Sequence, residues 1–391
     1  MKAITYRVLA FAALAIFAVG ATAQKSSPGN GSAHAPSAKK APAKKAAKTV
    51  RKRLPRTPEV DPTAGDNADG DDLVIRRAAV SALGEQAGTV VVVDPSNGRV
   101  LTMVNQKLGL QSGFIPCSTI KLVTSLAALT ENVIDKDTFL RLGRYANYNM
   151  TLALAKSNNQ YFSALGTRLG FERVVKYAKM MGIGEKAGLN IEGEQPGSVA
   201  DAPPKAGGMG LMTAFGEGFL MTPLELAGIL SSIANGGTLY YLQYPRNEVE
   251  IESFTPRVKR TLDIAPNGIE DIKLGMRGAV DYGTARRANY DPNELLFGKT
   301  GTCTDFRAGV HMGWFGSFTE VGKRQLVVIV MLTSPVKSVS GPVASGVAGA
   351  FYKNLEEQRY FASNISNSNA TVAGAQKSEM PEILTCCSHR Q

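Results

Sequence analysis

The stretch "GTVVVVDPSNGRVLTMVN" (Gly88–Asn105) holds two β-branched runs on either side of Asp-Pro-Ser-Asn-Gly. Valine and threonine favour extended backbone, and Asp, Pro, Asn and Gly supply the reversal between them, so the segment predicts a β-hairpin that opens a folded domain. Far downstream, "LLFGKTGTC" (Leu295–Cys303), "VHMGWFGSF" (Val310–Phe318) and "QLVVIVMLTSP" (Gln325–Pro335) predict three strands at meander spacing. Between these ends, apolar residues recur at helical spacing over Cys117–Glu131, Thr151–Lys156, Gln160–Leu169, Phe171–Met181, Thr222–Asn235 and Gly268–Val280, and a last helix is predicted near Val343–Glu356. The segment from Thr222 starts Thr-Pro-Leu-Glu and stops at Gly236-Gly237, the chemistry of a capped helix. Strands at both ends with helices between imply an α+β fold: one antiparallel sheet closed by the two ends of the chain, flanked by helices, with an all-helical lobe.

Outside this domain the composition changes. Lys2 and Arg7 frame the start of a 13-residue apolar run from Val8 to Gly20, and Ala21-Thr22-Ala23 then supplies small residues for a signal peptidase, so residues 1–23 are expected to be a signal peptide and the protein to be exported, periplasmic or extracytoplasmic. The alternative is an uncleaved anchor, although the run falls short of the ~20 residues that span a bilayer. Residues 24–72 are Ala, Pro, Ser, Gly and charge, which predicts a disordered basic linker, and residues 361–391 read as a disordered tail, leaving 73–360 as the folded domain. Ten of the 44 basic residues lie between Lys25 and Arg56, so the net charge of +11 belongs mostly to the linker. That argues against a nucleic-acid partner, because the basic excess is not spread over a folded surface. An electrostatic tether to wall polymer or membrane headgroups suits the linker, with a solvated spacer as the alternative.

The chemistry gathers in three short motifs. "FIPCSTIKLV" (Phe114–Val123) sets Ser118 and Lys121 one turn apart at a helix start, "KSNNQYF" (Lys156–Phe162) sets Ser157 and Asn159 at a break between helical patterns, and "FGKTGTC" (Phe297–Cys303) sets Lys299, Thr300 and Gly301 on a strand. Ser-x-x-Lys alone arises by chance on the order of once or twice in such a chain, so the signal lies in the joint occurrence. A serine hydroxyl attacks poorly unless a neighbouring base takes its proton, and one helical turn brings Lys121 to the same face as Ser118. Lysine serves as a base only when partly neutral; burial and a second cation, Lys299, both push its pKa down. A Ser-His-Asp triad finds little support, because the three histidines are His34 in the linker, His389 in the tail and His311 on a core strand. No His or Cys cluster has metal spacing, so neither metal nor cofactor is expected. Trp314 and Phe315 read as core and cleft wall, and Glu217 as a turn residue.

With these motifs in this order the chain resembles the transpeptidase domain of penicillin-binding proteins, in the serine acyl-transferase superfamily shared with class A and class D β-lactamases. The resemblance extends over about Leu73–Tyr360: the opening hairpin, "GEGFLMTPLELAGILSSIANGGTLY" (Gly216–Tyr240), "GMRGAVDYGTARRA" (Gly275–Ala288) and "GWFGSF" (Gly313–Phe318) are each similar to segments of that domain. It implies a peptidoglycan D,D-transpeptidase or D,D-carboxypeptidase acting on stem peptides through an acyl ester of Ser118, with β-lactams as covalent inhibitors. It further implies that Ser157 relays a proton to the departing nitrogen and that Asn159 holds the substrate amide and Lys121. By the same resemblance Lys299 and Thr300 bind the terminal carboxylate, Gly301 leaves room for its close approach, and the backbone N–H groups of Ser118 and Thr302 receive the oxyanion.

Two alternatives stay open. A serine β-lactamase would need a carboxylate and a water set against the ester, and "GLNIEGEQPGS" (Gly188–Ser198), with Glu192 and Glu194 as outside candidates, is more similar to the transpeptidase loop. A non-enzymatic β-lactam-binding or sensor module would acylate without turnover. Cys117 precedes the serine and Cys303 follows Lys-Thr-Gly; a subset of class A β-lactamases has the same arrangement with the pair bonded, so the resemblance implies a Cys117–Cys303 disulfide, with two buried thiols as the alternative.

Overall fold

The computed structural model describes residues 61–361 apart from 145, 322, 323 and 337. The expected signal peptide, residues 24–60 of the expected linker and the tail after 361 lie outside the described residues. No helix among the described residues is long and apolar enough to cross a membrane.

The opening hairpin is β1 (Gly88–Asp94) and β2 (Arg99–Val104), and the three late strands are β3 (Leu295–Asp305), β4 (Val310–Val321) and β5 (Arg324–Ser334). They form one antiparallel sheet in the order β2-β1-β5-β4-β3, so the first hairpin pairs with the last strand and the sheet is closed by the two ends of the domain. The register sets Val91 against Ile329 and Trp314 against Met331. Runs such as Val90–Val93 are apolar without alternation because helices cover both faces. On one face, α1 (Leu73–Leu83) and α9 (Gly341–Glu357) pack with Val90, Val92, Phe315 and Val328. On the other, Val91, Val93, Trp314 and Ile329 join the core of the helical lobe.

That lobe contains α2 (Lys121–Thr130), α3 (Met150–Ala155), α4 (Asn159–Leu169), α5 (Phe171–Met180), α6 (Gly208–Phe215), α7 (Pro223–Ala234) and α8 (Gly268–Asp281). The helix α7 starts where Thr-Pro-Leu-Glu predicts it. Thr222 accepts from the N–H of Glu225 while the Glu225 carboxylate accepts from the N–H of Thr222, a complete capping box. All twelve of its residues are buried, as expected of a helix that is apolar on every side. Such a helix fits closely against the sheet: a Cβ on Gly316 of β4 would stand 2.4 Å from Leu230.

Ordered structure reaches further upstream than the composition predicts. Residues 61–72 read as linker, yet Asp72 caps α1 by accepting from the N–H groups of Val74 and Ile75, and Asp66 and Asp71 pair with Arg76 at 2.9 and 2.8 Å. Asp66 also accepts from the N–H groups of Asn105 and Gln106, and Asp71 from the hydroxyls of Thr102 and Tyr244. Carboxylates that resemble solvated charge along the chain are satisfied by partners up to 288 residues away, which local composition does not reveal.

Candidate active site

The nucleophile motif does not open a plain α-helix. Cys117–Ile120 form one 3₁₀ turn, and α2 starts at Lys121. In a 3₁₀ turn residues i and i+3 eclipse, which sets Ser118 and Lys121 side by side, with Nζ 2.9 Å from the serine Oγ. The turn begins from Cys117 at φ +51°, a conformation that costs a non-glycine residue on the order of 1 kcal/mol or more. It is held from several sides. Trp314 Nε1 donates to Ile115 O at 3.1 Å, Gly216 at φ +79° closes α6 against Pro116, and the Ser118 hydroxyl lies 3.4 Å from Ala214 O.

Ser157 occupies the end of α3. Its N–H donates to Leu154 O and that of Asn158 to Ala153 O, the paired bonds of a Schellman motif, with Ser157 at φ +53° where glycine is commonest. A serine there presents both its hydroxyl and its carbonyl to Lys121, at 3.1 and 2.9 Å. Asn158 caps α4 through Tyr161 N–H, which leaves Asn159, the first residue of that helix, to reach Lys121 with Oδ1 at 2.6 Å.

Lys121 is fully buried, with Nζ 5.5 Å from the centroid of the Phe162 ring. Burial, followed by repulsion from Lys299, lowers its pKa to about 6. Lys299 is also fully buried, and burial lowers its pKa to about 7. Ser157 O and Asn159 Oδ1 can only accept, so each takes an N–H bond from Lys121, and in the neutral amine this leaves the lone pair for a serine hydroxyl.

The strand β3 forms the free edge of the sheet beside this cluster. Successive side chains alternate. Lys299 reaches Ser157 Oγ at 2.9 Å, Gly301 faces the nucleophile turn, and Cys303 is joined to Cys117 in a disulfide with a Cα–Cα distance of 5.5 Å. Thr300 and Thr302 face the other way: Thr300 Oγ1 lies 2.6 Å from Thr284 Oγ1, and Thr302 Oγ1 accepts from the N–H of Gly341 at 2.7 Å. A Cβ on Gly301 would meet Pro116 O at 3.1 Å and Cys117 Cβ at 3.2 Å, so its missing side chain admits the nucleophile turn.

Ser118, Lys121, Ser157, Asn159 and Lys299 thus converge in one hydrogen-bonded cluster, with Thr300, Gly301 and Thr302 along the adjoining edge. The outside candidates do not join it. Glu194 is buried and accepts from the N–H groups of Ala187 and Gly188, which pins a turn, Glu192 is exposed, and His311 Nδ1 bonds Thr304 Oγ1. Phe162 and Thr284 lie within the quoted segments Lys156–Phe162 and Gly275–Ala288 but are not singled out there, since neither residue type at its spacing announces a site.

The penicillin binding protein transpeptidase domain matches this chain over residues 88–354. The chain is 28% identical over 307 residues to the stage V sporulation protein D of Bacillus subtilis, covering 66% of this chain and 47% of that protein. It is 24% identical over 317 residues to the peptidoglycan D,D-transpeptidase FtsI of Escherichia coli, covering 69% and 52%. It therefore spans about half the length of these curated relatives. Among solved structures, Pseudomonas aeruginosa PBP2 in complex with WCK 5153 superposes with a TM-score of 0.62 at 23% identity, covering 74% of this chain and 77% of that one. PBPA from Mycobacterium tuberculosis gives a TM-score of 0.62 at 22% identity over 73% and 81%. The antiparallel sheet, the order of the three motifs along the chain and the match over residues 88–354 together make this chain a member of the penicillin-binding protein transpeptidase family.

Proposed function

We propose that the chain is a serine-type D,D-transpeptidase or D,D-carboxypeptidase that cleaves D-Ala-D-Ala ends of peptidoglycan stem peptides and is acylated by β-lactams at Ser118. The observation that carries this reading is the coordination of Lys121, which is bound by two acceptor-only partners and stands 2.9 Å from the Ser118 hydroxyl. Lys121 Nζ takes the proton of Ser118 Oγ as the oxygen attacks the penultimate carbonyl. The backbone N–H groups of Ser118 and Thr302 receive the oxyanion. As the tetrahedral intermediate collapses, Ser157 gives its proton to the departing D-alanine nitrogen and is resupplied from Lys121 or Lys299, both within 3.1 Å of its Oγ. The C–N bond breaks and a Ser118 ester remains. An amine or water then attacks that ester, giving transfer or hydrolysis.

The carboxylate of the substrate meets the hydroxyl of Thr300, with Lys299 behind it on the same strand, while Asn159 holds Lys121 and the substrate amide. The binding groups supply orientation, and the preorganised donors stabilise the charge that develops. The commitment of Glu194 to Ala187 and Gly188 disfavours a β-lactamase, because that carboxylate is not available to a hydrolytic water. Export and a membrane or wall tether through the basic segment belong to the same proposal.

The test is release of D-alanine. Full-length protein incubated with a pentapeptide ending in D-Ala-D-Ala should liberate free D-alanine, with a transfer product when an amine acceptor is present. A peptide ending in L-Ala-L-Ala should be left intact. Equal cleavage of both peptides, or of neither, would count against the reading.

A further inference from the structure

Thr284 lies outside the three motifs, in the turn that follows α8. Its Oγ1 sits 2.6 Å from that of Thr300. The backbone of this turn is fixed from the opposite side: the N–H of Thr284 donates to Ala155 O at 3.1 Å, and Lys156 Nζ donates to Tyr282 O at 2.8 Å. Gly283 permits the approach, since a Cβ there would stand 2.1 Å from Ala155 O. The turn therefore links the end of α3, which carries Ser157, to the strand that carries Lys299 and Thr300.

Each threonine hydroxyl has one proton. When two such groups bond to each other, one proton lies in the contact and the other is left to donate outward. The outward group is polarised by its neighbour, as in any chain of hydroxyls. Thr300 is 4% exposed, and a Cβ on Gly341 would stand 2.7 Å from its Cβ, so the side chain is confined. Lys299 does not supply that outward donor: its ammonium is fully buried and directed to Ser157 Oγ and Thr300 O. A carboxylate offers acceptors alone, and a fixed hydroxyl proton at the edge of β3 is the complementary partner.

We infer that Thr284 is a positioning residue for carboxylate recognition, its hydroxyl fixing that of Thr300 so that the pair presents one aimed O–H donor to the terminal carboxylate of a substrate or β-lactam. The inference rests on the proposed acylation of Ser118 by carboxylate-bearing compounds. It makes Thr284 a determinant of discrimination between charged and neutral ligands.

The experiment measures second-order acylation rates of the full-length wild type, Thr284→Val and Thr284→Ser with a penicillin and with its methyl ester. In Thr284→Val the penicillin-to-ester rate ratio should fall about tenfold, the loss of one hydrogen bond to a charged group. Thr284→Ser should restore the ratio, because it returns the hydroxyl. A merely structural role would lower both rates together and leave the ratio unchanged, which would overturn the inference, as would an unaltered penicillin rate in Thr284→Val. Failure of the underlying reading looks different: the wild type itself would form no adduct with either compound, and the inference would fall with it.

Discussion

Lys121→Met is expected to slow acylation by a penicillin about 10³-fold while leaving a folded protein, within the range seen when a general base is removed. Methionine keeps the length and volume of the buried stem, so packing against Phe162 survives, and the amine is the only chemistry lost. The pH dependence of the wild type is the companion result. Burial and then Lys299 hold the Lys121 pKa at about 6, so the amine is protonated and unable to accept below that value and neutral above it. The acylation rate should therefore rise with pH through a midpoint near 6 and level off, instead of rising toward the 10.5 of an ordinary lysine. Stopped-flow or quenched mass measurements between pH 4.5 and 8.5 on the order of half-unit steps cover both limbs. A midpoint far above 8 on the order of an unshifted amine, or a Lys121→Met rate near that of wild type, would remove Lys121 from the role of base.

The second large effect concerns stability. The Cys117–Cys303 bond joins the residue before the nucleophile to the strand after Lys-Thr-Gly and closes a separation of 186 residues. On the chain-entropy account such a loop contributes up to about 5 kcal/mol, and loss of native disulfides costs about 2 to 5 kcal/mol in small secreted domains. For a domain of this size each kcal/mol corresponds to roughly 2 to 4 °C in melting temperature, so the Cys117→Ser/Cys303→Ser double variant should melt on the order of 10 °C lower. Reductant should lower the wild type by a similar amount and leave the double variant unmoved. Acylation should slow as well, because the bond ties the Ser118 turn to Thr302, the two places whose N–H groups are proposed to receive the oxyanion. Identical melting of oxidised wild type and double variant would show that packing of Gly301 against Pro116 and Cys117 suffices without the bond.

Much of this was legible in the sequence, and the reasons are local. The hairpin Gly88–Asn105 announces itself through β-branched runs and turn residues, and α7 through Thr-Pro-Leu-Glu, because each is decided by neighbours within a few positions. Ser118 and Lys121 are readable for the same reason: a spacing of three fixes them on one face of a turn. What escaped depends on contacts between distant segments. The carboxylates of Asp66 and Asp71 resemble linker until Arg76, Gln106 and Tyr244 are brought to them. The close approach of Gly301 to the Pro116–Cys117 turn likewise joins segments far apart in the chain. Thr284 lies in a segment similar to the family's, Gly275–Ala288, but outside the three motifs, and only its hydroxyl contact with Thr300 singles it out.

The most direct measurement of the central claim is the intact mass of full-length wild type and Ser118→Ala after incubation with a penicillin, followed from minutes to hours. A covalent adduct on the wild type alone, mapped to the peptide containing Ser118 and persisting for hours, is the predicted result. An equal adduct on Ser118→Ala, or none on either protein, would contradict the account.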